Sequence, residues 1–286
     1  MVTSRNDRIF NTFVVLLLAI VGLLCIVPLL YVVSVSVTPY VEVLKNGGYI
    51  LFPKQFTFTA YLKIWETAGI LRSLQITVFV TIVGTAINLI LTLLLAYPLS
   101  RKGMPYRNWF LLMIVFTMLF SGGTIPTYLI VKATGLLNSV WALILPSAVW
   151  SFNVLIMKSF FEQLPEELFE AARMDGAKEL RLLVSIVIPL AIPSIMTVGL
   201  FYAVGHWNQF FSAIMYISDR NLRPLQVVVR DLLMQTQKPL DNPDELVPTV
   251  TMQMAAIVVA SAPIIAVYPF LQKHFTRGML LGSVKG

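Results

Sequence analysis

Long uncharged runs alternate along the chain with short segments that hold its charge. Windows free of Asp, Glu, Lys and Arg cover residues 13–37, 74–97, 108–131, 139–157, 186–217 and 246–271. Each is close to the roughly 20 apolar residues that a helix needs to cross the hydrocarbon core of a bilayer. The pattern therefore predicts an all-α, polytopic membrane protein with six transmembrane helices. The first window exceeds the roughly 7–15 apolar residues of a cleaved signal, so it is expected to stay as the first span. Prolines recur inside these windows, at 28, 126, 146, 189, 193, 263 and 269. In a bundle, neighbouring helices, waters and hydroxyl side chains satisfy the carbonyls that proline frees. Ordinary kinking is the expectation at each, with a gating hinge as the alternative.

Composition agrees with the pattern. Of 286 residues, 57% are hydrophobic and 12% charged, about half the charged share usual in soluble domains. The net charge of +7 could suggest nucleic acid, but the basic residues are scattered through the inter-span loops. Their distribution is better read as orientation. Arg101, Lys102 and Arg107 crowd the 98–108 loop, the 132–138 loop has only Lys132, and both ends of the chain are basic. The positive-inside rule then puts the two termini, residues 98–108 and residues 158–185 in the cytoplasm.

Charge-free spans argue against a proton-driven carrier, which would keep ionisable groups in the membrane. No lysine follows a glycine, so the chain has no phosphate-binding P-loop of its own. His206 and His274 are too far apart for HExxH, no GxSxG occurs, and the one cysteine, Cys25, has no base nearby. The expectation is a transport subunit rather than an enzyme, with no metal and no cofactor in this chain.

The exception to the apolar pattern is residues 158–189, which contain EAARMDGAKELRLLVSIVIP. Pro165 suits a helix start, where its missing N–H costs nothing. Glu166 and Glu167 follow in the first turn, where carboxylates favour the helix dipole. Leu164, Leu168 and Ala171/Ala172 mark one apolar face at helical spacing. Gly176 is a natural stop because it tolerates positive φ. A second helix restarts at Ala177 with Leu180, Leu183 and Val184 on one side. The result is a helix–turn–helix with a low alanine ridge between the acids at 170 and 175. Residue types alone leave two readings open, a docking element and a solvated connector.

The spacing of this segment resembles the EAA motif of ABC importer permeases, EAAxxDG followed by nine residues and IxLP. Glu170-Ala171-Ala172, Asp175-Gly176, Ile186 and Pro189 match it, and Ile188 stands where the pattern usually has leucine. Residues 120–146 and the tail QKHFTRGMLLGSVKG are similar to carbohydrate-type, MalG-like permeases. FYAVGHWNQFF (201–211) and RPLQVVVRDLL (223–233) resemble their LplC-like branch, importers of complex oligosaccharides.

The resemblance implies the type I ABC importer permease fold, a single transmembrane domain over residues 1–286. It implies a cytoplasmic coupling loop at 158–185 and a cytoplasmic C-terminal tail at 272–286. Glu170, Ala171, Ala172, Asp175 and Gly176 would contact an ATPase, and Gly278, Gly282 and Lys285 would make secondary contacts. The implied partners are a second, MalF-like permease, two ATPase subunits carrying Mg-ATP, and an extracytoplasmic solute-binding protein, all in a lipid bilayer. Alternatives are a permease for a non-sugar solute and an ion-coupled carrier.

Several polar residues lie deep in apolar windows, where an unmade hydrogen bond costs several kcal/mol, on the order of 2–7. His206, Trp207, Asn208 and Gln209, together with Asn88, Asn153 and Gln253, are either interhelical glue or candidate lining of a substrate pathway. Phe56, Tyr61, Lys63 and Trp65 in the 38–73 loop suit a docking platform or an aromatic belt at the membrane interface.

Overall fold

The computed structural model describes residues 5–67, 69–235 and 249–283, with side chains over 9–66, 69–234 and 249–266. Every regular element among the described residues is helical. The chain divides into two compact units, one made of residues 1–70 and 228–262, the other of 71–227 and 263–286.

In the first unit, α1 (Arg5–Ser36) is a single helix that passes through Pro28. Its apolar part, Ile9–Ser36, buries none of its most hydrophobic window in the chain. A helix that is apolar on all sides and uncovered belongs in hydrocarbon or against another apolar chain. After α2 (Tyr40–Lys45) and α3 (Thr59–Thr67), the chain folds back on the end of α1. The Tyr31 hydroxyl donates to the Gly48 carbonyl at 3.0 Å, and the hydroxyls of Ser36 and Tyr61 are 2.7 Å apart. Val35, Val43 and Ile50 form the small core of this unit, with Val250 and Met254 packed against them. Phe56 and Trp65 stay exposed.

The second unit is built on α4 (Ile70–Ser100), continuous and long enough to cross a membrane. The next three apolar windows are helix pairs broken by sharp bends. α5 (Arg107–Leu119) and α6 (Thr124–Ala133) meet at 114°, with Gly123 at φ +85 in the joint. Two 3-10 turns over 140–147 and α7 (Ser151–Phe161) meet at 51°. α8 (Glu166–Met174) lies between windows, and α9 (Glu179–Leu182) then leads through a π-helical turn, Leu183–Val187, into α10 (Ile188–Leu190). This run meets α11 (Ile192–Trp207) at 85°.

The prolines explain much of the breakage. Pro189 offers no N–H to the helical ladder, and the turn before it widens so that the Ile188 N–H reaches the Leu183 carbonyl. Pro193 sits in the first turn of α11, where no donor is missed. Residues 208–227 add α12 (Phe211–Tyr216) and the start of α13 (Leu225–Gln235). The sixth window opens α14 (Val250–Ser283), which carries the helix to the end of the described chain.

Several polar residues of the spans pack between helices of this second unit. The Asn88 side chain on α4 donates to the Ser147 carbonyl at 3.2 Å and lies 3.2 Å from His206 Nε2 on α11. One turn along, Thr92 and the Tyr202 hydroxyl are 2.7 Å apart, and that hydroxyl accepts the Trp150 N–H at 3.1 Å. Two glycines make this approach possible. A Cβ on Gly84 would lie 2.6 Å from His206 Nε2, and one on Gly205 would fall inside the Trp150 indole. Gly205→Ala is accordingly expected to destabilise the unit by about 1–3 kcal/mol, the usual cost of overpacking. A lowered thermal midpoint in detergent checks this, and an unchanged midpoint would show that Trp150 can move aside.

Candidate functional site

The EAARMDG segment forms α8 and the turn after it. Pro165 caps the helix and Glu166 is its first residue. At the other end Gly176 adopts φ +78. Its N–H bonds to the Arg173 carbonyl at 3.0 Å, and the Ala177 N–H bonds to the Ala172 carbonyl at 2.9 Å. These two bonds are the Schellman closure, which satisfies carbonyls left open at a helix end. The second helix starts at Glu179, two residues later than expected.

The buried face differs from the one the periodicity suggested. Phe169 is fully buried, Ala172 and Leu164 pack partly against the core, while Leu168 is 40% exposed and Ala171 is exposed. In the following helix Leu182 and Leu183 are buried, whereas Leu180 and Val184 are exposed. Leucine and phenylalanine both suit an apolar face, so spacing could not choose between adjacent stripes. The choice is made by Arg101, from the turn after α4. Its guanidinium lies 3.5 Å from the Phe169 ring centre and 5.0 Å from that of Tyr97. A guanidinium over an aromatic face is worth up to about 2 kcal/mol when desolvated.

Ion pairs surround this contact. Glu166 is 3.7 Å from Arg101 and 3.8 Å from Arg173, and Arg173 reaches Glu179 at 3.2 Å. The Tyr97 hydroxyl donates to Glu179 at 2.6 Å. That bond, and then Arg173, hold the Glu179 carboxyl below the usual glutamate range, against the opposing effect of its partial burial. Arg107 and Lys158 both pair with Glu162 at the base of the segment. The helix–turn–helix is thus fastened through one face to the end of α4.

The opposite face is bare. Met174 is 89% exposed, Leu168 and Ala171 lie beside it, and Glu167, Glu170 and Asp175 flank them. Of the five residues expected to make contact, Glu170, Ala171, Asp175 and Gly176 are exposed, and Ala172 is half-buried. An acid-rimmed apolar ridge on a rigidly held helix can do no chemistry by itself. It can seat in a groove and transmit displacement to α4.

The other expected residues are dispersed. Asn88 and His206 meet as described, and Gln209 Nε2 donates to the Leu143 carbonyl at 2.9 Å. Trp207 is 8% exposed, and Asn153 is fully buried, its amide atoms without a hydrogen-bond partner among the described residues. Asn208 is exposed, and its side chain donates to the Val204 carbonyl at 2.9 Å. Gln253 belongs to the other unit, where its amide donates to the Leu232 carbonyl at 3.3 Å. Gly278 and Gly282 fall in α14, and Lys285 lies outside the described residues. Tyr97, Arg101, Phe169 and Glu179 were not anticipated as a cluster. The only signal in the sequence was that Arg101 begins a short basic loop.

Residues 3–281 match the profile of the family described as binding-protein-dependent transport system inner membrane component. The chain is 46% identical to protein LplC of Bacillus subtilis, over 99% of this chain and 97% of the relative. It is 43% identical to the polygalacturonan/rhamnogalacturonan transport permease YtcP of the same organism, over 98% of this chain and 100% of the relative. Among solved structures, a chain of a bacterial ABC transporter involved in importing the acidic polysaccharide alginate superposes with a TM-score of 0.87. That match has 32% identity and covers 95% of this chain and 98% of the other.

Proposed function

Because the chain belongs to the family of binding-protein-dependent transport system inner membrane components, we propose that it is the permease subunit of an ATP-driven importer of oligosaccharides. The observation that carries this is the exposed, acid-rimmed ridge at Leu168, Ala171 and Met174, held on a helix pinned to the end of α4. A chain with no P-loop needs such a handle to receive work from a separate ATPase. The reading places six spans in the membrane, with both termini and residues 158–185 in the cytoplasm. Its partners are a second permease of MalF-like kind, two ATPase subunits holding Mg-ATP, and an extracytoplasmic binding protein. ATP-driven closure of the ATPases moves α8, and the Arg101–Phe169 contact carries that movement into α4.

For the cargo we favour fragments of acidic polysaccharides. The supporting observation is that YtcP is named for polygalacturonan and rhamnogalacturonan and the matching transporter structure for the acidic polysaccharide alginate, both matches covering nearly the whole chain. Asn88, His206 and Gln209 serve chiefly to join helices, because the amide nitrogens of Asn88 and Gln209 donate to carbonyls of neighbouring segments and Asn88 also meets the His206 ring. Asn208 is the exposed member of the candidate pathway.

The test is uptake by proteoliposomes carrying the full transporter, with ATP inside and binding protein outside. Oligogalacturonides should enter only when ATP, ATPase and binding protein are all present. Uptake that persists without ATP would overturn the permease reading in favour of an ion-coupled carrier. ATP-dependent uptake of neutral oligosaccharides in equal measure would keep the permease and remove the acidic preference.

A further inference from the structure

A cavity of about 710 Å³ opens where the end of α4 meets α8 and α9. Its polar rim includes Arg101, Lys102 and Arg173, and its apolar wall includes Leu94, Leu180 and Leu183. The charges in it do not balance. Glu166 and Glu179, which also line the cavity, already serve Arg173 and the Tyr97 hydroxyl. Lys102 pairs with no carboxylate among the described residues.

Arg101 is the sharper case. Its side chain is only 13% exposed and its one ion pair among the described residues is with Glu166, at 3.7 Å, while Glu179 acts on it from farther away; its Nε and Nη2 have no acceptor among those residues. A guanidinium so far removed from water is ordinarily matched by acceptors as well as ring faces. The rim is short of an anion.

The wall is short of something else. Leu94 is 48% and Leu180 67% exposed, and Leu94 lies in the uncharged window of α4, about two turns before Arg101. A soluble anion at the rim would leave these leucines bare. A neutral lipid along them would leave the rim uncompensated. The geometry points to an anionic phospholipid as the occupant, its headgroup phosphate at Arg101 and Lys102 and its acyl chain along Leu94, Leu180 and Leu183. Basic pockets between helices on the cytoplasmic side are suited to anionic headgroups. The lipid would then close the cavity between α4 and the α8–α9 segment, making the stiffness of that joint depend on membrane composition. This rests on the membrane reading of α4 given above.

The full chain, placed in nanodiscs of phosphatidylcholine with and without phosphatidylglycerol, provides the test by native mass spectrometry of retained lipid. Wild-type protein should retain phosphatidylglycerol in preference to phosphatidylcholine. Lys102→Gln should lower that retention about fivefold, the worth of one basic residue near an anionic surface. Leu180→Asn should lower it as well without touching a charge, which separates the acyl contact from simple electrostatics. Equal retention of the two lipids by the wild type, or wild-type retention in Lys102→Gln, overturns the site. If inorganic phosphate in phosphatidylcholine discs displaces no lipid yet raises thermal stability as phosphatidylglycerol does, the ligand is a free anion and the lipid assignment falls. Failure of the chain to enter discs at all would strike the membrane reading itself, a different result from any of these.

Discussion

Replacing Gly176 by proline is expected to abolish stimulation of ATP hydrolysis by the binding protein while leaving the chain in the membrane. At φ +78 the position lies outside the range that proline allows. The substitution also removes the N–H that bonds to the Arg173 carbonyl, one of the two bonds closing the helix. The turn would have to be rebuilt, and α8 would no longer lie at its present angle to α9. None of this touches an apolar window, so insertion should be unaffected. Gly176→Ala, with strain of roughly 1–2 kcal/mol for a left-handed residue, should give a partial loss. Measuring ATPase activity of the reconstituted transporter against membrane-fraction yield separates the two effects. Full stimulation in Gly176→Pro would mean that the turn takes no part in coupling.

Phe169→Ala should have the largest effect on stability of any single change in α8. Truncating a fully buried phenylalanine costs on the order of 3–5 kcal/mol, and here it also strips Arg101 of an aromatic partner 3.5 Å away. The segment should detach from α4, seen as faster proteolysis between Gln163 and Leu180 and a lower thermal midpoint. Phe169→Leu should keep most of the packing while losing the ring contact. The neighbouring Leu168→Ala offers the contrast. Leu168 is 40% exposed, and surface changes of that kind usually fall within about 0.5 kcal/mol. Its effect should appear in ATPase affinity instead. If Leu168→Ala destabilised the fold and Phe169→Ala did not, the assignment of inner and outer faces would be reversed.

Those two adjacent residues also mark how far the sequence could be read. The helix–glycine–helix at 165–185 was legible because its determinants are local: a proline at the start, acids in the first turn and a glycine at the stop. Their φ preferences and dipole interactions act within a few residues. The helical character of the apolar windows was legible for the same reason, since length and lack of charge are properties of a segment. The bends of 114°, 51° and 85° were only partly so. Prolines announced where ladders weaken, but the angle at each joint follows from what the two halves pack against.

Which stripe of α8 turns inward could not be read locally, because Leu168 and Phe169 satisfy the same periodicity. Arg101, 68 positions before Phe169 in the chain, decides it by offering a cation to a ring. The same holds for Asn88 and His206. Their polarity predicted that each would need a partner, yet only the crossing of α4 and α11 at Gly84 makes them partners of one another. Composition and spacing thus determined a charge-poor, apolar helical chain with a charged helix–turn–helix between its windows. The packing of distant residues determined which surface that motif presents and how it is anchored. Long-range contacts depend on where the backbone brings two side chains, and no local pattern specifies that.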